Sequence, residues 1–230
     1  MNAAANQQTV VAHPAGDTWR MVRTLGGVSL LSGCLIVITY QLTLPRIVAN
    51  RQQLVEEAIF QVLPGATSRV TYAVESGGMK RVDGLPGPGA KMYAGYDDSG
   101  HLVGVAIEAA GQGYQDIIRV LYGYAPDRGC TTGFTVLESK ETPGLGDKIA
   151  KDERFLANFN GLELKLDESQ STLRHDVVTV KQGTKSNPWE IDGISGATIS
   201  SKAVGRIIND SGKRIVPLIQ KNLDQIRGRQ

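Results

Sequence analysis

The chain has 230 residues, and its 25 Lys and Arg against 23 Asp and Glu leave a formal net charge of +2. A balance that close excludes the broad basic field of a nucleic-acid binder. Two cysteines (Cys34 and Cys130), no CxxC pair and three scattered histidines (His13, His101, His175) exclude a protein-ligated iron–sulfur cluster and a structural zinc site, so any redox chemistry must come from an organic cofactor.

Residues 1–18 are small, polar and aperiodic, which predicts a flexible tail. Residues 25–44 read LGGVSLLSGCLIVITYQLTL and carry no charge. At a rise of 1.5 Å per residue such a helix covers about 30 Å, the thickness of a bilayer's hydrocarbon core. The run is too long for a signal-peptide core, and Leu44-Pro45-Arg46 is a poor cleavage site. It is also apolar on all faces, unlike the helix of a soluble core. Segment 19–45 is therefore expected to be an uncleaved single-pass anchor in the lipid bilayer. Arg20 and Arg23 before it balance Arg46 and Arg51 after it, so the positive-inside count leaves its orientation open. In segment 46–65, Ile47, Val48, Leu54, Val55, Ala58, Ile59 and Val62 recur at helical spacing, which predicts a stalk helix that Pro64-Gly65 stops.

Residues 66–230 read as one domain of ordinary size. Strand-like runs occupy 69–74, 91–96, 102–109, 117–124 and 133–139. A loop at 76–89 holds Gly-Gly and Pro-Gly-Pro-Gly, and Asp98-Ser99-Gly100 suits a hairpin turn. A short helix is expected at 152–159, with further strands at 162–166 and 176–180. Ala203, Val204, Ile207 and Ile208 give 199–208 a helical pattern, which continues or is followed by a second helix over 213–226. No regular βαβ alternation is present. The expected fold is α+β: one N-terminal transmembrane helix, then one domain with a mainly antiparallel sheet.

Two segments carry the chemistry. Residues 192–201, DGISGATISS, lie just before the last helical region. A helix N-terminus presents free N–H groups and a positive partial charge, which suits a phosphate. Ser195, Gly196, Ala197 and Thr198 are small enough for close approach, and Ser200 and Ser201 add hydroxyls. The same residues also suit ordinary helix capping. Residues 141–149, ETPGLGDKI, read by themselves as a turn, with Pro143 fixing φ and Gly144 and Gly146 allowing unusual dihedrals.

Together, and in this order, the two segments resemble the signatures of the FMN-binding domain shared by the G subunit of the Rnf ion-translocating oxidoreductase and the C subunit of the sodium-translocating NADH:quinone reductase. The resemblance extends over nearly the whole chain, and Asp147-Lys148-Ile149 looks more like the Rnf protein. It implies a phosphoester between FMN and Thr198, with Ser195, Gly196, Ala197 and Ser201 in the motif around it. It implies that Leu145 packs on one face of the isoalloxazine ring, with Glu141, Thr142 and Gly144 in the same loop and Glu141 and Thr142 at its polar edge. Tyr114, in Gly111-Gln112-Gly113-Tyr114-Gln115, reads either as a wet-edged core residue or as the stacking partner for the other face. Lys181 reads either as a solvated lysine or as a cation beside the flavin.

No His or Lys neighbours Thr198 in sequence, and the resemblance implies that a separate flavin transferase attaches the FMN, using FAD and a divalent cation. It further implies an electron-transfer subunit in a multi-subunit inner-membrane complex that couples ferredoxin and NAD redox chemistry to ion movement, with Met1 in the cytoplasm and the flavin domain on the periplasmic side. No strand–GxGxxG–helix unit is present for NAD. The alternatives are the C subunit of the quinone reductase and a membrane-anchored flavin-binding sensor or interaction module.

Overall fold

The structure, a computed structural model, describes residues 15–75, 78–82 and 90–228. Most of the expected tail and the Pro-Gly-Pro-Gly loop lie outside the described residues. The chain divides into two compact units, 1–52 and 53–230.

Helix α1 runs over Ala15–Val62 with Pro45 inside it, so the last four residues of the expected tail are helical. Over the first unit its large apolar side chains, among them Leu25, Leu30, Leu31 and Ile36, are exposed. Among the described residues it is the single helix long and apolar enough to cross a membrane. Within the first unit those side chains have no apolar cover, which suits a helix placed in a bilayer.

In the second unit six strands form one antiparallel sheet: β1 (Ser68–Glu75), β2 (Gly78–Arg81), β3 (Ala90–Tyr96), β4 (Leu102–Gln112), β5 (Ile117–Ala125) and β6 (Cys130–Glu138), in the spatial order β2-β1-β3-β4-β5-β6. The period of two divides the sheet into two buried faces. Val105, Ile107, Ile118, Val120, Tyr122 and Tyr124 join the main core, whereas Ala106 and Leu121 join a second cluster with Ala58, Ile59, Val62 and Leu63 from the end of α1 and the turn after it. That second face is lined by glycine. Gly95 pairs with Gly104, and Gly123 with Gly133. A Cβ on Gly123 would lie 2.2 Å from the Val62 carbonyl, and one on Gly95 2.8 Å from Leu63 Cδ1. Bare backbone thus lets the stalk press directly on the sheet. The Thr132 hydroxyl donates to the Val62 carbonyl at 2.6 Å and fixes the contact.

The opposite face is covered by α3 (Thr198–Lys221), which buries Ala203, Val204, Ile207, Ile208, Ile215, Val216 and Ile219. Each large aliphatic side chain among them is worth about 1.5–3 kcal/mol of burial. Phe155, on the short helix α2 (Glu153–Ala157), and Phe159 pack on Phe134 of β6. The last helix, α4 (Leu223–Arg227), is tied down where the buried Tyr96 hydroxyl donates to the Ile226 carbonyl at 2.6 Å.

Three expectations differ, and one open alternative is resolved. Part of loop 76–89 is strand β2, paired with β1. The strand expected at 162–166 is reduced to isolated bridges at Glu163 and Leu166. The final helical region, open in sequence to either continuation or a second helix, shows both: one helix through Pro217 and a short second helix after it. Strands β7 (Val178–Val180) and β8 (Glu190–Asp192) form a small parallel pair, and β8 is too short to show any periodicity in sequence.

Candidate functional site

The site is organised by one buried carboxylate. Glu141, 6% exposed, sits three residues past β6. Its Oε1 accepts from the N–H groups of Tyr114 (2.8 Å) and Gln115 (3.1 Å), in the β4–β5 turn. Its Oε2 accepts from the Ser200 hydroxyl at 2.5 Å, in the first turn of α3. Three donors and the positive end of a 24-residue helix offset the cost of burying this charge. The two motifs, together with the turn bearing Tyr114, meet at this residue. Close packing enforces glycine around it: a Cβ on Gly113 would lie 2.4 Å from Oε1, and one on Gly146 2.6 Å from Oε2.

The rest of the ETPGLG loop is shaped by its own backbone. Thr142, partly buried, accepts at its carbonyl from Leu145 N (3.1 Å) and Asp147 N (3.3 Å), and Gly144 takes φ +78. A 3-10 turn over Gly146–Ala150 follows. The result pushes Leu145 outward: it is 51% exposed and lies beside Gly196, where a Cβ would sit 4.0 Å from Leu145 Cδ2. Tyr114 is 62% exposed.

The SGAT segment is delivered by β8 and held on its buried side. Gly193 N donates to the Val180 carbonyl (3.1 Å), Ser195 N to Gln182 Oε1 (3.1 Å), and Ile194 N to Ser201 Oγ (3.2 Å). Ser201, fully buried, donates in turn to the Ala197 carbonyl at 2.9 Å. Asn158 clamps β8 from the end of α2, accepting from Asp192 N (2.9 Å) and donating to the Asp192 carbonyl (3.2 Å). The Asp192 carboxylate accepts from Gly183 N at 2.7 Å. Lys185 donates to Asn158 Oδ1; partial burial holds its pKa below the ordinary lysine value, opposed by Asp192 and Glu190. The N–H groups of Ser186 and Asn187 and the Asn187 side chain hold the Glu190 carboxyl below its usual range.

The outer side of the segment is left open. Ser195, Gly196 (φ +84) and Thr198 are exposed. The residue before α3 is Ala197, which provides no side-chain cap. The N–H groups of Thr198, Ile199 and Ser200 have no acceptor among the described residues, and the Thr198 hydroxyl has no hydrogen-bond partner there. Such a helix end accepts an anion. Lys181 follows β7; its carbonyl closes a turn with Thr184, and its ammonium has no ion-pair partner among the described residues.

Ser200 and Ser201, expected to add free hydroxyl donors, have both hydroxyls committed within the fold. Glu141, expected at a polar ring edge, has both carboxylate oxygens engaged by protein donors. Sequence reading missed the strut formed by Glu141 and Ser200 because nothing local links residues 59 apart. Asn158 was missed as well; a side-chain amide at the end of a short helix carries no signal of what it will clamp.

A model of the FMN-binding domain matches residues 113–212. The G subunit of the ion-translocating oxidoreductase complex of Methanosarcina acetivorans is 32% identical over 80% of this chain and 87% of its own length. The G subunit of the Na(+)-translocating ferredoxin:NAD(+) oxidoreductase complex of Acetobacterium woodii is 30% identical over 84% of this chain and 91% of its own. Among solved structures, Shewanella oneidensis NqrC superimposes with a TM-score of 0.58, covering 77% of this chain and 98% of that one at 20% identity, so the two share a fold. On the extent of these matches and the joined motifs, the chain belongs to the family of G subunits of ion-translocating oxidoreductase complexes.

Proposed function

We propose that this protein carries FMN as a phosphoester on Thr198 and passes electrons within a membrane complex that couples ferredoxin and NAD redox chemistry to ion translocation. The observation that carries the reading is the uncapped start of α3: an exposed threonine hydroxyl beside free N–H groups, joined through Glu141 to the ETPGLG loop. Bound there, the flavin supplies reversible one- and two-electron chemistry. The chain's own residues do the rest. The N–H groups of Ile199 and Ser200 would hold phosphoryl oxygens, and Gly196 keeps that approach free of a Cβ. Leu145 and Tyr114, exposed on a fixed loop and turn, would cover the faces of the ring. Glu141 positions these parts by its bonds to Tyr114, Gln115 and Ser200. Lys181 would stabilise negative charge at the ring edge.

No base lies within hydrogen-bond reach of the Thr198 hydroxyl among the described residues, which supports attachment by a separate flavin transferase. Segment 19–45 anchors the chain in the inner membrane in a single pass, with the flavin domain on the extracytoplasmic side and the other proteins of the complex as partners. A tether suits such a site, because a dissociating cofactor would be diluted away. The test is Thr198→Ala made in the native host. We expect it to lack the flavin fluorescence that the parent chain keeps on a denaturing gel; fluorescence surviving the substitution would contradict the assignment.

A further inference from the structure

Between the end of β4 and α3 lies an open cleft of about 290 Å³, separate from the Thr198 end of the helix. Its walls are Ala109–Gln112 on the strand, and Ala203, Ile207 and Ser211 with three charged residues on the helix: Arg206, Asp210 and Arg214. The charged three are spaced four apart, so they follow one exposed edge of α3, and Arg206 and Arg214 are separated by about 12 Å along its axis. Neither arginine takes part in an ion pair among the described residues, and Asp210 pairs with neither, although each is one turn away. Two guanidinium groups on one concave surface offer planar donor arrays that are matched to carboxylates.

The pattern restricts the occupant. A single small anion bridging both arginines would lie against the Asp210 carboxylate. A uniformly negative surface such as an anionic bilayer would meet the same repulsion. The volume is small for a nucleotide-sized ligand. What fits is a protein segment with separated carboxylates. The strand wall also ends at Gln112, directly before the turn whose Tyr114 N–H is held by Glu141. An occupant of the cleft therefore lies alongside the turn bearing Tyr114.

We propose that the cleft between β4 and α3 docks an acidic segment of a neighbouring protein of the complex, with carboxylates seated at Arg206 and Arg214 and a cationic side chain opposite Asp210. This rests on the reading of the chain as one component of a larger assembly. The test uses native membranes holding the whole complex and an Arg206→Lys variant, treated with a water-soluble carbodiimide, which joins an amine to a carboxylate only in direct contact. The expected product links position 206 to an Asp or Glu of a different polypeptide. It should fall at least about tenfold when formed in 1 M salt, where the screening length is about 3 Å. Coupling only to carboxylates of the same chain, Asp210 included, or no coupling at all, would overturn the proposal. In a second variant, Arg206→Glu with Arg214→Glu, we expect at least about a tenfold slower reduction of the flavin in membranes, because like charges then face the docked carboxylates and displace the segment. An unchanged rate would also overturn it. The flavin band on a denaturing gel separates the two readings: if it persists while the cross-link fails, docking alone is wrong, and if it is absent, the flavin assignment is wrong whatever the cross-link shows.

Discussion

Thr198 and Ser200 stand two residues apart at the start of α3 and could hardly differ more in surroundings. Ser200 is 3% exposed and gives its hydroxyl to Glu141 at 2.5 Å. Thr198 is exposed, and its hydroxyl has no partner among the described residues. The same contrast runs through the whole site. Glu141, Ser201 and Asn158 are buried and bonded; Tyr114, Leu145, Ser195 and Gly196 face outward. A polar side chain buried with its bonds made builds shape, and its loss costs stability. An exposed group without an internal partner costs almost nothing to keep or remove, so its place in the site is explained by what binds from outside.

The contrast can be broken by substitutions on either side of it. The largest expected effect is on the outside: Thr198→Ala should remove covalent flavin completely while changing the unfolding free energy by no more than about 0.5 kcal/mol relative to the parent chain, both made without flavin and measured by denaturant titration. A large loss of stability would mean that Thr198 belongs with the struts. Next, Gly123→Ala should cost at least about 1–3 kcal/mol, since its Cβ would meet the Val62 carbonyl at 2.2 Å, and backbone there cannot yield. Glu141→Gln should cost about 1–3 kcal/mol, by weakening bonds to Tyr114, Gln115 and Ser200 together, and should lower flavin occupancy as a consequence. Unchanged stability would show that Glu141 is not a strut. The smallest effect on the fold should come from Leu145→Ala. With Leu145 half exposed, the flavin stays attached and stability stays within about 0.5 kcal/mol, but a redox titration should show a shifted potential. An unmoved potential would remove Leu145 from the ring contact.

The sequence reveals the parts of this molecule that repeat and hides those that meet. Strands β3, β4 and β5 are legible because apolar and aromatic residues run over seven or more positions between turn residues, and the anchor because charge is missing from twenty consecutive residues. Three-residue β8 has no period to read, although it aims the SGAT segment. The two motifs stand in the sequence as local strings, but only their resemblance to the FMN-binding domain separates them from an ordinary turn and an ordinary helix cap. Their junction is not legible there, because the Glu141–Ser200 bond depends on how β6 and α3 pack. The glycines of β3 to β6 are visible as composition, but their use as a bed for Val62 and Leu63 appears only once strand register brings Gly95 to Gly104 and Gly123 to Gly133.

The central claim concerns one bond at Thr198, and the mass of the intact chain tests it most directly. Purified from its native host under denaturing conditions, the chain should weigh the sum of its residues plus one FMN less one water, and a fragment spectrum should place that addition on Thr198. A chain matured beside its flavin transferase that carries no added mass, or carries it on another residue, would contradict the account.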